Sequence, residues 1–375
     1  MTERLATLLK EEAGNLDIPT PHAPAVLRAG RRVRGRRRVI TGLSAAAVVS
    51  VIAGVSFVAL TGGDTSGRGV EEDTIDAASA SYLSGGAFSA GRTVYFGDRA
   101  LYQADLPEDI KSLYYTSEGV VVRTGDNPYS DDPGPSHYSL VTPTGRVQRL
   151  DLDLGDRVPS TDPDQPYLAY ADRAGDGWVA VVRDVGTDEE VARVPVPGDF
   201  TWGGWAAPPV ALSGDTVFVG MDQAGIAVDW RDATTTVADR MGPAEYPSAG
   251  GGRDVATAGR ESTVYDVASG EVLLRIPVDP ARLPYVTLSP DGRYAELVNQ
   301  DESEGTSFEV YDVDSGASRT IQGAAWDFGW TPDGNLFSVS RTRVTVCQPA
   351  TAECETNPVE VGPGGIKLGG KAYES

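Results

Sequence analysis

Histidine is scarce in this chain. His22 and His137 are the only two, so acid, base or metal chemistry would have to come mainly from carboxylates, hydroxyls and thiols. No Gly-x-Ser-x-Gly turn occurs, and no Ser/His/Asp set gathers around His137, which argues against nucleophilic hydrolysis. Asp and Glu number 54 and could hide the carboxylate pair of a glycan hydrolase, but linear spacing alone does not place two acids across a glycosidic bond. Asp126-Asn127, Asp131-Asp132 and Asp151-x-Asp153 offer oxygens to a cation. None has the ordered ligand spacing of a calcium loop, so they read as solvated loop acids, and no metal or cofactor is expected. Cys347 and Cys354 are seven residues apart across a predicted hairpin, with no further thiol in the chain. Outside the cytosol such a pair is most economically a disulfide, contributing about 2 to 3 kcal/mol through so short a loop.

Aromatic residues supply the remaining recognition chemistry. Trp202 and Trp205 lie in Thr201-Trp-Gly-Gly-Trp on a long connection, where indoles either stack on sugars and peptides or pack over a neighbouring element. Trp330 precedes a tight turn at the position that Leu212 and Leu288 hold before theirs, and so is expected in the core.

The elements that must position these residues repeat. Val182 to Val196 aligns without gaps on Val264 to Val278, matching at Asp184/Asp266, Val185/Val267, Glu189/Glu271, Arg193/Arg275 and Pro195/Pro277. The offset is 82 residues, two units of 41, and a third copy opens at Val310-Tyr-Asp-Val-Asp-Ser-Gly. Each copy is a β-branched run, a polar turn and a second apolar run, which predicts a hairpin. A second motif precedes the hairpin: Leu288-Ser-Pro-Asp-Gly-Arg-Tyr and Trp330-Thr-Pro-Asp-Gly-Asn-Leu, 42 residues apart, with relatives at Asp162 and Leu212. Proline presets φ, aspartate bonds back to the backbone and glycine takes positive φ, so this motif joins two strands tightly. Four strands per unit of about 40 residues is the arithmetic of a β-propeller blade. Anchors near Gly91, Gly119, Pro163, Gly214, Gly252, Pro290 and Pro332 predict seven blades, with six and eight as neighbouring counts. The first unit lacks a fourth strand, and Ile366 to Leu368 could supply it and close the ring.

These turns and hairpins resemble the TolB-type or WD40-like repeats of bacterial propellers, over about residues 85 to 361. The resemblance implies the architecture and a binding platform, peptidase gate or sensor. It implies no single activity. The Gly-His and Trp-Asp signatures of eukaryotic WD40 repeats are absent.

Ahead of the propeller, seven arginines between Arg28 and Arg38 run into 22 uncharged residues, Val39 to Leu60. At about 1.5 Å per residue these span roughly 33 Å, enough for a hydrocarbon core. The charged and apolar runs are long for a cleaved signal peptide, and the arginines place the N-terminus in the cytosol and the remainder outside. Residues 1–38 carry nine Lys/Arg and four Asp/Glu, net +5; residues 61–375 carry 23 and 50, net −27, which together give −22. So acidic an outer part would repel nucleic acid. Residues 61–84, with a run rich in Gly, Ser, Asp and Glu, read as a flexible stalk.

The expected layout is therefore an all-β, seven-bladed propeller over 85–368, a stalk over 61–84, one transmembrane helix over 39–60 and a short helical cytosolic tail over 1–38. Leu5, Leu8 and Leu9 form a stripe on that tail that suits a cytosolic protein. The layout resembles bacterial membrane proteins associated with sigma-factor regulation, although the tail lacks the His/Cys zinc pattern of such proteins. The expected function is that of a non-enzymatic, membrane-anchored extracellular module binding a protein or glycan. A transmembrane regulator and a glycan-acting propeller hydrolase are the alternatives. The long segments 125–137, 153–162, 197–209, 238–249 and 300–305 are expected on one face, making Tyr129, Asp131, Asp132, His137, Trp202, Trp205 and Tyr246 the candidate contacts.

Overall fold

The structure, a computed structural model, describes residues 68–371 apart from 131–133, 156, 202–205, 239 and 300–304. The cytosolic tail with Leu5, Leu8 and Leu9 and the span 39–60 lie outside the described residues. Among the described residues no helix is long and apolar enough to cross a membrane.

Seven four-stranded antiparallel sheets make the propeller. In each blade the strands are lettered A to D from the axis outward. Blades 2 to 7 take theirs in chain order, beginning with strand A at Asp109–Thr116, Ser160–Thr161, Val210–Ser213, Ala249–Gly250, Pro284–Leu288 and Phe328–Trp330. Blade 1 is composite. Its strands B, C and D are Ala87–Ala90, Thr93–Phe96 and Tyr102–Asp105, and its strand A is Ile366–Leu368, paired antiparallel with Ala87–Ala90 through Phe88↔Leu368 and Ala90↔Ile366. The missing strand is thus supplied as expected. Its place is innermost, so the last strand locks the first blade and leaves no open sheet edge at the seam.

The repeated hairpins are the C–D pairs of blades 3, 5 and 6. In all three, the matched aspartate caps the turn: Asp184 accepts from Gly186 N at 2.8 Å, Asp266 from Ser269 N at 2.8 Å and Asp312 from Ser315 N at 2.8 Å. Even the bulge recurs, at Val182/Arg183 and Val264/Tyr265, 82 residues apart. The Pro-Asp-Gly turns link strands A and B, and these turns are tied from blade to blade: Asp162 accepts from Gly214 N at 2.7 Å, and Ser213 Oγ from Gly252 N at 2.9 Å.

Between blades lie seven apolar seams. The largest joins blades 3 and 4 through Trp178, Val194, Leu212 and Val219, while that between blades 4 and 5 is built on Ala211, Phe218 and Met241. Trp330 is 3% exposed in the seam between blades 6 and 7, as its position before the turn predicts.

Over residues 68–84 the stalk expectation is corrected, while 61–67 lie outside the described residues. Arg68–Gly85 is an α-helix, here α1, and Gly86 at φ 71° ends it. Ala78 and Tyr82, four residues apart, share one helix face and are both buried. Tyr82 Oη donates to Thr116 O at 3.0 Å and Gly119 O at 2.9 Å, and its ring meets Phe96 and Tyr115 edge-on. One anchored aromatic therefore orders a segment whose polar composition reads as a linker.

A candidate ligand site on the propeller axis

Because neighbouring strands are antiparallel, B–C loops and D–A connections open on one face, and A–B and C–D turns on the other. All five long segments singled out in the sequence are of the first kind: 125–137 and 300–305 join strands B and C of blades 2 and 6, while 153–162, 197–209 and 238–249 run between blades. This is the loop face. Helix α1 ends on the opposite, turn face, where its last residues meet the A–B turns of blades 2 and 7: Tyr82 bonds Thr116 and Gly119, and Leu83 O accepts from Asp333 N at 3.1 Å.

The inner strands enclose an axial cavity of about 180 Å³. Residues of blades 1 to 6 border it, mostly from strand A or the chain beside it. Tyr246 and Pro247 reach it from the connection entering blade 5, on the loop-face side, and Tyr115 and Pro163 from the turn-face side. Tyr115 is held firmly. Its Oη accepts from Ala87 N at 3.0 Å and its ring packs edge-on to Tyr82 at 5.6 Å. A Cβ on Gly369 would fall 2.5 Å from the same ring, so glycine lets the closing strand's end lie against it. Burial raises the Tyr115 phenol well above its ordinary range and keeps it neutral.

The other sequence-predicted contacts are distributed around the loop face. His137 is engaged with an acid: Nδ1 lies 2.7 Å from Glu108 Oε2, and Thr124 Oγ1 donates to the same oxygen at 2.9 Å. The hydrogen bond from His137 is the main cause holding Glu108 below the usual carboxylate range. This pair ties strands B and C of blade 2 to the connection from blade 1. Tyr129 is 67% exposed, its backbone N–H donating to Asn127 Oδ1 at 3.0 Å. Asp131, Asp132, Trp202 and Trp205 lie outside the described residues. Of the predicted contacts that are described, Tyr246 alone borders the cavity. Cys347 and Cys354 face each other across the C–D hairpin of blade 7 and are joined as a disulfide.

Tyr115 and the cavity's lysines, Lys111, Lys367 and Lys371, were not among the candidates. A compositional signal did mark the lysines: the chain has only four. Next to Lys371, burial pushes Glu296 up to about 8, against the pull of the Trp330 indole and the lysine itself. Burial also lowers Lys371, with Asp327 and Glu296 opposing.

Fold and cavity together define a seven-bladed β-propeller with an axial pocket. No family model and no curated relative matches the chain. It is similar to solved structures: a protein of unknown function from Desulfotomaculum acetoxidans, at 13% identity and TM-score 0.44 over 75% of this chain and 98% of that one; TolB from Acinetobacter baumannii, at 12% and 0.41 over 75% and 64%; and Hsv2 from Kluyveromyces lactis, at 15% and 0.40 over 64% and 74%.

Proposed function

We propose that this protein is a membrane-anchored, non-enzymatic propeller that binds a ligand outside the cytosol, through its loop face and axial cavity. The observation that carries the reading is the cavity itself, bordered by six blades and flanked on one face by the longest connections in the fold. The arginine-flanked apolar run and the Cys347–Cys354 bridge support the anchor and the oxidising compartment. Photo-crosslinking residues placed at Tyr129 and Tyr246 should capture a shared species on intact cells. The same residue at Leu101, 72% exposed on the turn face, should not. Equal capture from both faces, or none from the loop face, would refute the assignment.

A second reading, regulation across the membrane, gains from α1. A flexible stalk would transmit little, whereas Tyr82 touches Tyr115, which borders the cavity. A cavity ligand that shifts Tyr115 would act directly on the helix end.

A further inference from the structure

The wall of the axial cavity at blade 5 is held in place by two acids. Tyr246 to Gly250 border the cavity, and the connection that carries them is pinned on both sides of Tyr246. Ahead of it, Glu245 accepts from Gly242 N and, at 3.4 Å, from Thr257 N of strand B. Beyond it, Asp254 of strand B accepts from the Ser248 backbone, and Ser248 O accepts from Val255 N at 3.2 Å. The start of the connection is fastened to blade 4 instead: Met241 packs against Gly225, and Ala244 N donates to Met221 O at 2.9 Å.

Asp254 is fully buried. The groups facing it come from several elements. Strand C offers the Tyr265 phenol, which donates to Oδ2 at 2.7 Å, and strand B the Val255 N–H, 2.8 Å from Oδ1. The connection brings Glu245 as a like charge, and Arg240, whose guanidinium lies 5.4 Å from the Tyr265 ring centre. Blade 4 faces the seam with Ala211 and Phe218, while Arg253, next in strand B, is paired with Asp314 of blade 6. A carboxylate at Asp254 therefore has three donors but no solvent access, and burial pushes its pKa up to about 7, with Glu245 adding to the rise. Admitting water relieves the buried charge. Strand B is paired on both sides and cannot yield, whereas 242–248 have no strand pairing and can.

We propose that Asp254 is a pH-operated latch on the cavity wall: protonated, it keeps 242–248 on strand B and Tyr246 at the cavity, and ionised, it releases them on the loop-face side. The inference rests on the axial cavity being the ligand site and adds the regulation of that site. The closed form keeps a proton that the released form gives up near pH 4, so release becomes easier as pH rises from about 4 to about 7 and then levels off.

Hydrogen exchange of the 375-residue chain between about pH 4.5 and 8.5, corrected for the intrinsic exchange rate, reads the latch without any ligand. Expected is a loss of protection over 242–250 of about tenfold or more across that range, unaffected by low urea, as a local opening should be. Tyr167–Asp184 should exchange only through the urea-sensitive global unfolding. Asp254→Asn should remove most of the pH dependence at 242–250. Tyr265→Phe takes away a donor and should move the levelling-off to higher pH, whereas Glu245→Gln takes away the like charge and should move it lower. Protection over 242–250 that does not change with pH, exchange there only through urea-sensitive unfolding, or shifts of the two variants in one direction would overturn the proposal. Should Asp254→Asn fail to fold, the opposed shifts still decide it. Cross-linking at Tyr246 is read separately, so a ligand site without a latch is distinguishable from a latch without a ligand site.

Discussion

Asp254 has no solvent exposure in strand B of blade 5. Its Oδ2 accepts from Tyr265 Oη at 2.7 Å and its Oδ1 from Val255 N at 2.8 Å. Burial pushes its pKa up to about 7, with Glu245 adding to the rise and the hydrogen bonds opposing it. Glu245, on the connection entering this blade, is itself raised by burial, and Arg240 lies 5.4 Å from the Tyr265 ring centre. The sign follows. The folded state keeps a proton that the unfolded chain releases near pH 4, so stability falls as pH rises from about 4 to about 7. Asp254→Asn should remove that fall and stabilise the protein at pH 8 by on the order of a few kcal/mol. Denaturant titrations at pH 5, 6.5 and 8 check this, and parallel profiles for parent and variant would contradict it.

Helix α1 and the closing strand meet at one place. Tyr82 on the helix, Ala87 at the start of strand B of blade 1, Gly369 just after the closing strand and Tyr115 on strand A of blade 2 form a single junction. Tyr82→Ala removes a fully packed ring and the hydroxyl donor of Thr116 O, while Gly119 O keeps that of Thr116 Oγ1, at a cost of about 3 to 5 kcal/mol. Because α1 docks largely through this residue, the expected result is faster hydrogen exchange over 78–86, with the far blades keeping their protection. Uniform loss of protection around the ring would show instead that the junction holds the whole propeller closed.

The ring as a whole is only as tight as its weakest seam. Each fully buried large apolar side chain contributes about 1.5 to 3 kcal/mol, and the seams share such residues unequally. The seam between blades 3 and 4 gathers 17 buried residues, and that between blades 4 and 5 gathers three, beside the polar Asp254–Tyr265 pair. Opening should therefore begin between blades 4 and 5, next to the connection that brings Tyr246 to the cavity. Amides of Arg253–Ala258 are expected to exchange well before those of Tyr167–Asp184. The reverse order would mean that seam size does not govern opening.

What the sequence determined was periodic and local. A unit of about 41 residues specified the blades, and its copies agree down to the Asp184, Asp266 and Asp312 turn caps and the bulges at Val182 and Val264. The Cys347–Cys354 pairing and the use of Ile366–Leu368 as the missing strand were legible because each depends on a hairpin or a strand count. The tertiary structure decided the rest. Ala78 and Tyr82 are too few to mark a helix by pattern, and it took the packed surface of blades 1 and 2 to order α1. The cavity joins Lys111 to Lys371 across 260 positions of sequence through ring closure, which no local periodicity encodes. The raised pKa of Asp254 is likewise a property of its seam, because burial has no value until neighbouring blades pack.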